Sequence, residues 1–436
     1  MSEKINDIVS IMKECIESMG KVMFLLCLFL LLHTHVNAED STSRVFYVAK
    51  NGNDANTGTI DKPWLTVQKA ANNAEPGDII YVRDGIYSEF VTIKNSGLKG
   101  KGFITFKAYP GEQPIFDAGK QTIKKGNMAF FTIEASYIII DGFEMRNLSA
   151  SGMEYYPNGI LVSNNSNHIQ LLNNEIHHIE NHSIDGNSHG ILIYGNTSKP
   201  IQDILIQNNH IHHLTLGNSE ALTLSGNVER FNISKNKVHD NNNIGIDVAG
   251  FYNACTGNCI DQVRNGTISN NIVYNNSSGE NPSYNGHLAA GGIYADGASD
   301  IRISHNLVFK NDFGIELASE NYGKKTSNII LEKNKIFNNN GAGLIIGGAS
   351  TSNGGAYKNI IRENEFSLND LRIQGYGEIT IQHQATKNQF INNEFYINKT
   401  ITLIQSMNQK ETSNTINNNK VYFRISIFRD YRSMSF

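Results

Sequence analysis

Three similar pentads within one stretch set carboxylates at matching places: Gly245-Ile246-Asp247-Val248-Ala249, Gly292-Ile293-Tyr294-Ala295-Asp296 and Gly314-Ile315-Glu316-Leu317-Ala318. If the pentads are equivalent strands stacked in one sheet, alternation along a strand puts Asp247, Tyr294 and Glu316 in one outward column. Asp296 then lies one outward step further along its own strand. Strands are about 4.8 Å apart in a sheet, so the Asp247 and Glu316 backbones stand about 10 Å apart with the Tyr294 coil between them. Glu320 follows Asp296 by 24 residues, close to one coil, and joins the same group. Paired carboxyls at such separations suit glycoside hydrolysis: about 5 to 5.5 Å goes with retention and about 6.5 to 9.5 Å with an inverting water. Mutual repulsion and partial burial would keep one of them protonated, as a general acid requires.

Two long insertions interrupt the same stretch, roughly Gly250 to Arg264 and Tyr274 to Ala290, so the acids are expected in a walled cleft. The competing reading is that they are outward solubilising residues. Against it, the same column elsewhere holds Leu161, Leu192, Thr223 and Ile345. His189 and Glu220 precede neighbouring copies of the strand and, with Tyr294, are expected as substrate contacts. Arg264 is the cation nearest the cleft in sequence, and Lys324-Lys325 follow Glu320. A lyase or epimerase would use such a cation as base beside acids that bind Ca²⁺ or neutralise a uronate. The hydrolytic reading needs no cofactor. A third class is a non-enzymatic solenoid that binds glycan along a flat face.

The elements that must position these residues form a repeat. The pattern apolar-x-apolar-x-x-Asn-x-apolar places asparagines at 174, 209, 236, 271, 306, 334, 364 and 393, with a mean spacing of about 31 residues. A second strand falls between them: Gly159-Ile160-Leu161-Val162, Gly190-Ile191-Leu192-Ile193, Ala221-Leu222-Thr223-Leu224, the three acidic pentads, and Gly343-Leu344-Ile345-Ile346. Several short strands per turn without intervening helices predict an all-β parallel β-helix, each coil burying its apolar face only against the next. The asparagines are read as structural, their amides stacking into a ladder inside a tight turn. His177-His178 and His212-His213 follow ladder asparagines. They are read as repeat drift rather than a metal stripe, because His239, Tyr274 and Phe309 occupy similar places downstream. No metal site is expected.

Trp64 to Ala74 carries the one helical pattern, ended by Pro76-Gly77, and is expected to cap the open end of the stack. Short strands follow at Ile79–Val82, Phe90–Ile93, Ile104–Ala108, Phe130–Ile133 and Ile138–Ile140. Residues 1–38 have the parts of a secretory signal, with an apolar run Val22 to Leu32 behind Lys21 and Val36-Asn37-Ala38 before Glu39. Initiation at Met19 or Met23 is an alternative. The β-helix is expected over 39–420, and 421–436 as a cap or frayed tail. In an exported chain, Cys255 and Cys259 in Cys-Thr-Gly-Asn-Cys read as a disulfide. A net charge of −4 and 39% hydrophobic residues exclude a disordered polyelectrolyte and a strongly basic nucleic-acid binder. The expected partner is a poly- or oligosaccharide met by a secreted, periplasmic or surface monomer with no membrane attachment after signal cleavage.

These motifs resemble the bacterial right-handed parallel β-helix, pectate-lyase-like superfamily over roughly Arg44 to Asn419. Tyr47-Val48-Ala49-Lys50-Asn51-Gly52-Asn53-Asp54, Lys62-Pro63-Trp64 and Gly77-Asp78-Ile79-Ile80-Tyr81-Val82-Arg83-Asp84-Gly85 are similar to the opening segment of many members. The stretches Gly291 to Gly297 and Phe313 to Asn321 also resemble the branch that includes β-helix β-xylosidases. That resemblance implies a retaining mechanism with Asp296 as nucleophile and Glu320, or else Glu316, as acid/base. The paired-aspartate stretch of calcium-dependent pectate lyases and the Asp-Pro-His signature of mannuronan epimerases are not seen.

Overall fold

The structure, a computed structural model, describes residues 43–119, 121, 123–398, 400–407 and 413–423. The expected signal segment over residues 1–38 and the tail from 424 onward lie outside the described residues. The described chain winds as a right-handed parallel β-helix with three sheets of 16, 11 and 12 strands, called here the first, second and third sheets. Each coil contributes a short strand to each sheet, and a right-handed path is the one that lets twisted parallel strands return to the same sheet.

The interior is made by like residues stacking coil on coil. In the second sheet Ile160, Ile191, Leu222, Ile246, Ile293, Ile315, Leu344 and Ile379 pair in register. All of them are fully buried. The next position along points out and runs Leu161, Leu192, Thr223, Asp247, Tyr294, Glu316, Ile345 and Thr380. This is the column expected from the pentads, and Asp296 pairs with Ala249 and Ala318 one outward step further.

The asparagine ladder forms. Each Nδ2 donates to the next Oδ1 at 2.9–3.0 Å from Asn174 through Asn209, Asn236, Asn271, Asn306, Asn334, Asn364 and Asn393 to Asn419. The residue before each rung sits in the left-handed region, even where it is Lys235, His305 or Glu363, with φ of 55–58°. That conformation costs about 1 kcal/mol for a non-glycine residue and is held by the buried amide that follows. A second ladder, Asn241, Asn276, Asn311, Asn339 and Asn369, runs parallel to the first and ends on Glu378. A third joins Asn359, Asn388 and Asn414.

Two expected boundaries move. The helix is Val67–Asn73 rather than Trp64 to Ala74. Thr66 is its N-cap and accepts from the Lys69 amide, while Trp64 is extended, bridges Val48 and stacks on Phe46 at 4.8 Å. Asp54 Oδ1, accepting from the Leu65 and Thr66 amides, and the indole, donating to the Asn56 carbonyl, keep this stretch out of the helix. At the other end, Lys420–Phe423 pairs with Glu394–Ile397, so the coil continues past residue 420.

Candidate functional site

Two of the outward acids of the second sheet are buried: Asp247 is 5% exposed and Asp296 3%, with Tyr294 between their coils at 7%. The two insertions flank them, which overturns the reading of Asp247 and Asp296 as solubilising surface residues, while Glu316 is half-buried and Glu320 exposed.

The first wall, between the strands Ile246–Ala249 and Arg264–Ser269, is fastened in two ways. The Cys255–Cys259 disulfide closes its tip. Asp261 accepts from the Asn253 amide at 2.6 Å and the Ala254 amide at 3.2 Å. This loop carries Tyr252 into the cleft. Its hydroxyl donates to Asp296 Oδ2 and lies 3.2 Å from Glu320 Oε2, and the Glu320 amide donates to Asp296 Oδ1 at 3.2 Å. Asp296 and Glu320 thus share one phenol oxygen, which keeps their nearest oxygens within about 6 Å, two hydrogen bonds end to end.

The second wall holds two short 3₁₀ turns, Ser278–Glu280 and Pro282–Tyr284. Buried Asp312 anchors it, accepting from Ser277 Oγ at 2.7 Å, from the Ser278 amide at 2.8 Å and from the Ala290 amide at 3.1 Å. Asn281 ties it to the coil through the Gly217 and Asn242 carbonyls. Tyr284 accepts from Asn243 Nδ2 at 3.1 Å. Between the walls, Gly291 makes room for Glu316: a Cβ there would stand 2.5 Å from Glu316 Oε1.

The electrostatics follow from this enclosure. Burial, then Glu220, Asp296 and Glu320, holds Asp247 well above the usual aspartate value. Burial and then the Glu320 charge push Asp296 up to about 8, while the Tyr252 hydrogen bond pulls the other way. Burial, Glu320 and Asp296 push Glu316 up to about 8. Glu220 is pushed up to about 7 by burial, against the hydrogen bond it accepts from Thr223 at 2.9 Å. Burial lowers His189 to about 3, which leaves it a neutral imidazole 3.9 Å from Glu220 Oε2 and 3.2 Å from Asn158 Oδ1. Asp247 Oδ1 and Glu316 Oε1 are buried without a hydrogen-bond partner among the described residues. A cleft of this kind stores protons at neutral pH.

Asp247, Asp296, Glu316, Glu320, Tyr294, Glu220 and His189 therefore belong to one groove. Arg264 is not brought to the acids. It starts a strand of the first sheet opposite Glu229, and its guanidinium is held by Glu229 at 2.8 Å and by Asn227 Oδ1 at 3.1 Å. The cation held against the first wall is Lys324, with Nζ 4.9 Å from the Phe251 ring centre. Tyr252, Tyr284 and Asn243 were not singled out from sequence. Insertions carry no periodicity that would aim a side chain, although tyrosines in both walls are the type of residue that lines a sugar groove.

Comparisons with known proteins agree with this architecture. The model of the Pel9A-like, right-handed β-helix region matches residues 46–213, and that of the right-handed β-helix region matches residues 158–354. Protein YwoF of Bacillus subtilis is 36% identical over 382 residues, which cover 87% of this chain and 81% of that protein. A 73-residue stretch is 37% identical to pectate lyase PEL9 of Emericella nidulans, covering 16% of this chain and 18% of that one. Among solved structures, the GH136 lacto-N-biosidase from Eubacterium ramulus superposes with a TM-score of 0.63 at 13% identity, over 87% of this chain and 68% of that chain. The mannuronan C-5 epimerase AlgE4 A-module of Azotobacter vinelandii superposes with a TM-score of 0.51 at 14% identity, over 85% and 93%. At such identities the likeness is one of fold, and that fold serves a hydrolase and an epimerase alike. By its identity and coverage against YwoF, the chain belongs to the YwoF family of right-handed parallel β-helix proteins.

Proposed function

We propose that the protein is an exported carbohydrate-active enzyme that cleaves a glycosidic bond with Asp296 and Glu320. The observation that carries this reading is the single Tyr252 hydroxyl in contact with both carboxylates. A separation bounded by that contact fits the short spacing of retaining enzymes better than the long spacing of inverting ones.

The hydrogen bonding of Asp296 also fits. Both Asp296 oxygens accept hydrogen bonds, one from Tyr252 and one from the Glu320 amide, as a carboxylate nucleophile requires. Asp296, pushed up to about 8 by burial and the Glu320 charge, must release its proton to act as the nucleophile, and Glu320 is assigned the acid/base role. In the first step Asp296 attacks the anomeric carbon while Glu320 protonates the departing oxygen. In the second, Glu320 takes a proton from water, whose oxygen displaces Asp296. Glu220, Asp247 and Glu316, held protonated, are donors to sugar hydroxyls, and Tyr294 and Tyr284 offer ring faces and edges. The Cys255–Cys259 bond suits an oxidising compartment.

A lyase reading has its own support in the partnerless oxygens of Asp247 and Glu316. There these acids would hold Ca²⁺, and Lys324, held against the Phe251 ring of the first wall, would be the base. A glycan panel assayed for both new reducing ends and unsaturated uronates separates the two. Hydrolysis lost in Asp296→Asn and Glu320→Gln supports the glycosidase. Unsaturated products lost in Lys324→Ala replace it with a lyase, and binding without turnover on the whole panel overturns both.

A further inference from the structure

The third sheet carries a cluster that the cleft chemistry leaves unused. Glu144, Glu175 and His210 form one of its outward columns, and Arg146, His177, His212, His239 and Tyr274 the next. The rings of the second column stack at 4.5–5.3 Å from His177 to Tyr274, as repeat drift predicts. One coil boundary breaks the pattern. Glu144 is neutralised by Arg146 at 2.6 Å, whereas Glu175 has no Lys or Arg partner among the described residues. Its Oε1 instead faces His210 Nδ1 at 3.5 Å and His212 Nε2 at 3.3 Å.

In one tautomer pattern His239 Nδ1–H donates to Asp240 Oδ2 at 2.5 Å and His239 Nε2 accepts from His210 Nε2–H at 2.7 Å. His210 Nδ1 then turns a lone pair to the Glu175 carboxylate, acceptor to acceptor, and a cation between them relieves that contact. The two distances to Glu175 match the edge of a tetrahedron around an ion with bonds of about 2.0–2.1 Å, which is about 3.3–3.4 Å. One ligand atom from each of the three residues lies within 4.8 Å of the others. A ligating histidine whose second nitrogen donates into a histidine and a carboxylate is also the usual outer support of a metal site.

We propose that Glu175 Oε1, His210 Nδ1 and His212 Nε2 bind a divalent transition-metal cation of the zinc class, supported by His239 and Asp240, with a fourth position open to solvent. The site lies on a different sheet from the acids and does not depend on the cleft reading. The Lys237 ammonium, next in the His210 column, is drawn 5.8 Å over the Tyr274 ring.

The test is titration of the chelator-stripped full chain with Zn²⁺ alone, by calorimetry and by competition with a chromophoric chelator, followed by the visible spectrum of the Co²⁺ form. The expected result is one ion per chain and a four-coordinate Co²⁺ spectrum. Affinity should fall at least about 100-fold in His212→Ala and in Glu175→Gln, and about 10- to 100-fold in His239→Ala, the range for an outer-support residue. Far-UV circular dichroism of the stripped variants checks that the coil stack is intact. Zn²⁺ binding absent from the wild type, or equally tight in His212→Ala and Glu175→Gln, overturns the proposal. If His212→Ala fails to fold, Glu175→Gln alone decides it.

Discussion

Tyr252 reaches across the groove from the disulfide loop and donates its hydroxyl to Asp296, 44 residues later in the chain and on another coil. This hydrogen bond pulls Asp296 down against the burial and the Glu320 charge that push it up. Tyr252→Phe should therefore raise the Asp296 value, and the ascending limb of the kcat/KM–pH profile should move to higher pH. Turnover at neutral pH should fall by about 10- to 100-fold, the lower part of the range for a positioned proton-transfer partner. A profile that keeps its ascending limb in the variant would show that Tyr252 does not act on Asp296.

Asp296→Asn and Glu320→Gln keep shape and remove a carboxylate, so each should lower turnover by at least about 10²-fold with the thermal midpoint preserved. Asp247→Asn and Glu316→Gln are the informative controls. Both residues are already held neutral by burial, so their amides should reduce kcat much less than the catalytic pair does. If Glu316→Gln is the more severe lesion, the acid/base role moves from Glu320 to Glu316 while the groove stands.

How far the sequence led can be judged from individual residues. Register was legible because apolar positions repeat every coil: once Ile246, Ile293 and Ile315 stack inward, Asp247, Tyr294 and Glu316 must stack outward. That the insertions wall the acids in was legible from their length, but which side chains do it was not, since Tyr252, Tyr284 and Asp312 sit in or anchor aperiodic loops. Arg264 misled for a related reason. It is close to the acids in sequence, but it begins the next strand, where the chain has turned onto another sheet and Glu229 lies opposite. The second asparagine ladder was readable, as Asn236/Asn241, Asn271/Asn276, Asn306/Asn311, Asn334/Asn339 and Asn364/Asn369 keep a constant offset. The pattern apolar-x-apolar-x-x-Asn-x-apolar captures only the first member of each pair.

The buried acids make stability depend on pH in a definite direction. Asp296 and Glu316, each near 8, and Glu220, near 7, lie above their ordinary values of 3.8 and 4.5. The folded chain thus holds protons that the unfolded chain releases. Their contribution is fully present below about pH 4 and is lost as pH rises through 7 to 8. Stability should therefore be greater at pH 5 than at pH 9 by at least about 2 kcal/mol, read by urea unfolding at each pH. Asp247→Asn combined with Glu316→Gln should flatten that slope and raise stability at pH 9.

Each interior rung of the first ladder makes several buried hydrogen bonds. Asn306 donates to Asn334 Oδ1 and the Ile268 carbonyl and accepts from Asn271. Asn306→Ala leaves these partners unpaired and should cost about 3 kcal/mol, whereas the terminal, partly solvated Asn419→Ala should cost about 1 kcal/mol. Equal losses at the two positions in denaturant unfolding would mean that the ladder does not act through burial.

The Cys255–Cys259 bond separates loop geometry from global stability. It closes a loop of only four residues' separation, so its chain-entropy effect is on the order of 2 kcal/mol. Asp261 remains as a second fastener through Asn253 and Ala254, so Cys255→Ser/Cys259→Ser should stay folded and lose no more than about 2 kcal/mol in denaturant unfolding. Turnover should nevertheless fall by about 10-fold, because Tyr252 lies three residues before Cys255 and depends on the loop for its aim. If the bond acts through Tyr252, the two lesions cannot add. In the Tyr252→Phe background, removing the cysteines should have little further effect on kcat, and the coupling should appear in a double-mutant cycle. A full tenfold loss in that background would instead mean that the disulfide shapes the groove for substrate independently of the tyrosine.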